Sequence, residues 1–132
     1  HNLKSRAHEN YILYNRISDE QTGVSSRLID LSNGGFTIIM GNILMQGPNA
    51  ENNNLVGYGK EGLGSGTNEL YFVNNTLVNK RAASCIFVDV KPGTAVVNVF
   101  NNIFAGTGTV LQGTATAMNN NLIETTIANV KF

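Results

Sequence analysis

Residues 70–77 read Leu-Tyr-Phe-Val-Asn-Asn-Thr-Leu, and four other stretches restate them. Residues 97–104 are Val-Asn-Val-Phe-Asn-Asn-Ile-Phe, 37–44 are Thr-Ile-Ile-Met-Gly-Asn-Ile-Leu, 10–17 are Asn-Tyr-Ile-Leu-Tyr-Asn-Arg-Ile, and 115–122 are Ala-Thr-Ala-Met-Asn-Asn-Asn-Leu. Each is a short strand, an Asn at a bend, and an apolar residue two positions later. Aligned on Asn15, Asn42, Asn75, Asn102 and Asn120, they recur after 27, 33, 27 and 18 residues. A repeat of roughly 20–50 residues signals stacked units that bury a continuous core between neighbours.

Side chains alternate across a strand. The column three residues before the bend (Ile12, Ile39, Phe72, Val99, Ala117) and the column two after it (Ile17, Leu44, Leu77, Phe104, Leu122) are therefore expected to point inward. Asn suits the bend because it tolerates tight turns, and its amide can bond its own backbone or the Asn of the next unit, forming a ladder along the stack. Partner strands read at 1–5, 27–31, 55–59, 84–90 and 109–112. A Gly-rich loop at 60–67 is expected to bulge from the body and accounts for the longest spacing. No stretch reads as a helix, and the tail 124–132 is expected to cap or drape over the last turn. The competing arrangement, a β-sandwich with Asn-rich turns, would show hairpin turn signals about every 8–12 residues; here the longer period dominates.

The 132 residues make one domain, 1–132, and a hydrophobic content of 42% suffices for a core. Lys+Arg and Asp+Glu balance at 9 each, so no global attraction for nucleic acid or an anionic membrane follows. The single Cys85 excludes an internal disulfide and, within Cys85-Ile86-Phe87-Val88, reads as a buried thiol. No run is long and apolar enough to span a bilayer, and no signal peptide is visible. The chain begins at His1 inside a repeat, which reads as the C-terminal portion of a longer protein.

The bends and their spacing resemble the right-handed parallel β-helix repeat of pectate lyase-like, polysaccharide-acting proteins. That resemblance implies an all-β solenoid of about five coils, a polysaccharide partner and a secreted or periplasmic location. Handedness comes from the resemblance, not from the periodicity. One outward set is unusual for such a fold. Leu13, Met40, Val73, Phe100 and Met118 stand two before the bend, and Tyr11, Ile38, Tyr71, Asn98 and Thr116 four before it. A contiguous apolar face marks an interface, so self-association or packing against the rest of the parent is expected through Leu13, Met40, Val73 and Phe100; a shifted in/out phase is the alternative.

On the partner strands, the outward positions are expected to be Asn2 and Lys4, Asp30 and Ser32, Tyr58 and Lys60, and Asp89 and Lys91. Asp30, Ser32, Tyr58, Lys60, Asp89 and Lys91 form a candidate saccharide-binding face, with hydroxyls held by polar groups and a ring stacked on Tyr58. A plain solvated face is the competing reading.

Leu3-Lys4-Ser5, then Asn10 and Asn15, then Ile29-Asp30-Leu31-Ser32-Asn33-Gly34, is similar to the succession of the alginate lyase/chondroitinase B family. The resemblance implies β-elimination on a polyuronate, with Lys4 as base, assisted by Arg6 or Arg27. It implies no cofactor in this chain, with calcium confined to the longer parent. Ser32 and Asn33 stand where that family has Arg and His, so Lys4 also reads as an ordinary surface lysine. A non-catalytic saccharide-binding or assembly domain is the alternative function. His1 and His8 are too few for a metal site, and residues 62–66 lack the Gly-Lys-Ser/Thr of a phosphate loop.

Overall fold

The computed structural model describes residues 1–129. Each coil contributes three strands. Coil one has β1 (Leu3–Ser5), β2 (Glu9–Leu13) and β3 (Arg16–Ser18); coil two has β4 (Ile29–Leu31), β5 (Phe36–Met40) and β6 (Ile43–Gln46). Coil three has β7 (Asn54–Tyr58), β8 (Glu69–Val73) and β9 (Thr76–Asn79), and coil four β10 (Cys85–Val90), β11 (Val96–Phe100) and β12 (Ile103–Ala105). Coil five closes with β13 (Gly108–Gln112), β14 (Ala117–Asn119) and β15 (Leu122–Glu124). Strands of equal position stack into three five-stranded sheets, all parallel. The fold is a parallel β-helix of five coils.

Both inward columns are observed in the first four coils. Ile12, Ile39, Phe72 and Val99 line the second sheet, and Ile17, Leu44, Leu77 and Phe104 the third, all within or against one core cluster. The bend geometry explains the Asn doublets. The residue before each ladder Asn has left-handed backbone: Tyr14, Gly41, Asn74, Asn101 and Asn120, at φ between 56° and 72°. Gly and Asn enter that region most readily. The first Asn of a doublet thus makes the bend, and the second builds the ladder.

This corrects the fifth coil. Asn120 takes the left-handed position and Asn121 carries the ladder, so the alignment on Asn120 is one residue early. The strand register moves with it, pairing Met118 with Val99 and Ile123 with Phe104. Met118 and Ile123, not Ala117 and Leu122, therefore continue the inward columns. In a run of three asparagines the sequence pattern cannot distinguish the two alignments; the backbone conformation does.

Within the ladder the Nδ2 of Asn15, Asn42, Asn75 and Asn102 donates to Oδ1 of the next Asn at 3.2, 3.0, 3.2 and 3.0 Å. The backbone N–H groups of the same residues donate to the same acceptors at 2.8–3.0 Å. Each Asn above the first also donates back to a strand carbonyl of the coil below, such as Asn75 to Ile39 at 2.8 Å. A tight bend that would leave buried backbone groups without partners is thus satisfied coil by coil.

Cys85 is buried, and burial pushes its thiol up to about 12. The Gly-rich loop does not simply bulge. Leu63 packs onto the core; Gly64 N–H donates to Asn33 O, and Asn33 Nδ2 to Gly62 O. In the tail, a 3-10 turn at Ile127–Asn129 sets Ile127 against Met45, Val78 and Ala105 on the outer side of the third sheet. The remainder of the expected cap, 130–132, lies outside the described residues. Among those described, no helix is long and apolar enough to cross a membrane.

Candidate functional site

The first sheet turns a charged row outward. Lys4, Asp30, Gly57, Asp89 and Gln112 are successive register partners across its five strands. The inward neighbours on either side of the row, Ile29 and Leu31 or Val88 and Val90, are buried in the core. Asp30 and Asp89 belong to the outer face, yet they are only 1% and 3% exposed because cationic side chains cover them.

Asp30 is the centre of this cover. His1 Nε2 lies 3.1 Å and Lys4 Nζ 3.4 Å from its Oδ2, Arg27 Nη1 lies 3.9 Å from its Oδ1, and Ser32 Oγ donates to Oδ2 at 3.3 Å. Lys4 Nζ also donates to Glu61 Oε1 at 2.8 Å, and Arg6 pairs with the other oxygen of Glu61. These two bonds hold the Glu61 carboxyl below the usual carboxylate range. One coil further on, Lys60 Nζ donates to Asp89 Oδ1 at 2.7 Å, and Asn54 Nδ2 donates to Oδ2. Asp30 Oδ1 and Arg27 Nε are buried without a hydrogen-bond partner, so the cluster retains unmet polar capacity.

Gly57 explains how Arg27 reaches the row without a change of register. A methyl group at Gly57 would come within 2.9 Å of Arg27 Cδ and Nε. The missing side chain leaves a slot in which Arg27 lies across the sheet. Arg27, one of the expected assisting residues, therefore reaches Asp30 in the register the sheet shows.

Two expected positions are corrected. Tyr58 is fully buried; it pairs with Leu31 and Val90, faces the core, and its hydroxyl donates to Gly35 O. Burial raises its phenol pKa, and no ring is offered to a ligand. The outward place belongs to Gly57, which has no side chain to reveal it. Ser32 is also fully buried, as a partner of Asp30. Lys91 is exposed beside the cluster. Glu61, Asn54 and His1 were not among the expected site residues. Only an acidic residue inside the Gly-rich loop hinted at Glu61.

Five basic side chains, Lys4, Arg6, Arg27, Lys60 and Lys91, share this face with the carboxyl groups of Asp30, Glu61 and Asp89. The face therefore carries more basic than acidic side chains, and an Arg on it can hold an anion bidentately. Calcium is not favoured there. Asp30 and Asp89 each face cations, and among the described residues no group of three His, Cys, Asp or Glu side chains could hold a metal. The residues present do not fit that ion.

On the second sheet Leu13, Met40, Val73 and Phe100 are register partners and face outward, as expected from their phase. The class this geometry defines is a parallel β-helix with an internal Asn ladder and a charged outer sheet. The chain matches no family model, no curated protein and no solved structure.

Proposed function

We propose that this chain is a polysaccharide-binding β-helix whose first-sheet face takes acidic, uronate-containing chains outside the cytoplasm, in a secreted or periplasmic setting. The observation that carries the reading is Arg27 laid in the Gly57 slot, beside Lys4 and Lys60, on a continuous outward row. A polymer with regularly spaced carboxylates meets these cations from the solvent side and takes the place of exposed Glu61, while buried Asp30 keeps its cationic cover.

Calorimetric titration with a galacturonate or mannuronate hexamer tests it. Saturable binding is expected, weakening with salt as screening requires. Arg27→Ala should reduce affinity about tenfold, a typical loss for a charge-assisted contact. Gly57→Ala should reduce it severalfold by pushing Arg27 aside while leaving the fold intact. Affinity indifferent to both substitutions refutes the reading.

One observation favours a polyuronate lyase as a second reading: Lys4 and Arg27 converge on the same carboxylate. In β-elimination a base takes the proton at C5 of the uronate, the C4–O bond breaks to leave a C4–C5 double bond, and the departing oxygen takes up a proton. Absorbance of the unsaturated product in the same mixtures decides between cleavage and binding alone. Arg6 enters this reading only through Glu61, which it shares with Lys4.

The row Leu13, Met40, Val73 and Phe100 suits self-association. Light scattering is expected to find an oligomer for the wild type and a folded monomer for the Met40→Lys/Phe100→Lys variant. A monomeric wild type removes this role from the row.

A further inference from the structure

The second sheet carries a cleft of about 430 Å³ that the charged face does not use. It is walled by His8, Glu9, Tyr11 and Phe36 and, opposite them, by residues 65–67 of the Gly-rich loop. Its volume falls in the range of about 300–1,000 Å³ typical of small-ligand clefts. Strand register builds the floor. Glu9, Phe36 and Glu69 form one outward row; Tyr11, Ile38 and Tyr71 form the next.

Phe36 consequently stands between two carboxylates, with adjacent strands about 4.8 Å apart. It also touches two other rings: Tyr11, centroid at 6.1 Å and tilted by 53°, and Tyr71, at 5.7 Å and 49°. Tyr71 Oη donates to Glu69 Oε2 at 3.0 Å, a bond that raises the phenol pKa and holds the ring beside Phe36. Tyr11 is 56% exposed, an unusual position for a large ring with nothing to cover it.

We propose that this cleft binds an uncharged pyranose unit of a saccharide chain. The C–H face of the sugar stacks on the exposed ring of Tyr11 beside Phe36, and its hydroxyls donate to Glu9. Ionised carboxylates can only accept hydrogen bonds, so they call for a ligand rich in donors, while the apolar rings call for a flat apolar face. A sugar ring presents both. The same carboxylates repel a uronate, so this subsite selects a different unit from the one the first-sheet face takes. The proposal extends the polysaccharide reading to a second sugar but stands on different residues, and each can fail without the other.

The test is a tyrosine-fluorescence titration of the whole chain, which contains no Trp. The probes are cellohexaose, xylohexaose, mannohexaose and chitohexaose, with tetramethylammonium and a galacturonate hexamer alongside. At least one neutral hexaose is expected to saturate the signal, and excess galacturonate should not displace it. Tyr11→Ala and Phe36→Ala should each weaken that binding about tenfold or more, as truncation of a central aromatic contact does. Melting curves confirm that the variants are folded; Tyr11→Ala, at an exposed position, carries the test if Phe36→Ala is not. The proposal is overturned if no neutral hexaose binds, if Tyr11→Ala leaves binding unchanged, if galacturonate competes, or if only tetramethylammonium saturates.

Discussion

Replacing Asn75 by Ala is expected to lower the unfolding free energy by about 3–5 kcal/mol, since each buried polar group left unpaired costs about 1–3 kcal/mol. Asn75 sits in the central coil and is buried. Its Oδ1 accepts from both N–H and Nδ2 of Asn42, at 3.0 Å each, and its Nδ2 donates to Ile39 O and Asn102 Oδ1. Alanine strands the Asn42 N–H and removes the side-chain bonds to the Ile39 carbonyl and to Asn102 Oδ1, in an interior that water does not reach. Against a typical total stability of about 5–15 kcal/mol, a loss of this size is large. The comparison is Asn15→Ala at the exposed end of the ladder. There the side chain donates to Leu13 O and Asn42 Oδ1 but supports no lower coil, so a loss of about 1 kcal/mol or less is expected for hydrogen bonds open to solvent. Urea denaturation of the two variants measures both. Equal losses would mean that burial along the ladder contributes nothing beyond the bends themselves.

Phe104→Ala is expected to cost a further about 3–5 kcal/mol, the usual range for removing a buried aromatic ring. Phe104 is fully buried, stacked near Phe72 at 6.5 Å and 16° and edge-on to Phe87 at 5.3 Å and 62°. It joins the third sheet to the other two across the core, so its loss opens a cavity that none of the three can close by moving alone. Phe100→Ala, on the outward row of the same coil, should cost less than about 1 kcal/mol in the monomer, in line with surface substitutions. Thermal melts of the pair test the register directly, because a slip of one residue would exchange the two faces. Similar losses for both would contradict the inward and outward assignment.

The candidate site was legible in part. Alternation on the partner strands places Lys4, Asp30 and Asp89 on the outer row, and that is where they lie. It fails at Tyr58, where the outward place is held by a glycine. A residue without a side chain leaves no mark in a pattern of apolar and polar side chains, so the count jumps to the tyrosine beside it. The failure in the fifth coil has a related cause. Asn119, Asn120 and Asn121 are chemically identical, and only φ distinguishes the one that bends from the one that builds the ladder.

What the sequence determined by itself is the coil. Strand alternation, an Asn able to take left-handed backbone, and an apolar residue after the bend are local preferences. Five restatements of them specify a stacked parallel helix and its core columns. What only the tertiary structure decided is which side chains share a surface. Glu61 reaches Lys4 across 57 residues of sequence, Arg27 occupies a slot left by Gly57, and the loop at 65–67 closes a cleft over Tyr11 and Phe36. These contacts depend on how loops of different length fold back over sheets whose stacking sets their positions, and long-range geometry of that kind leaves no periodic trace in the chain.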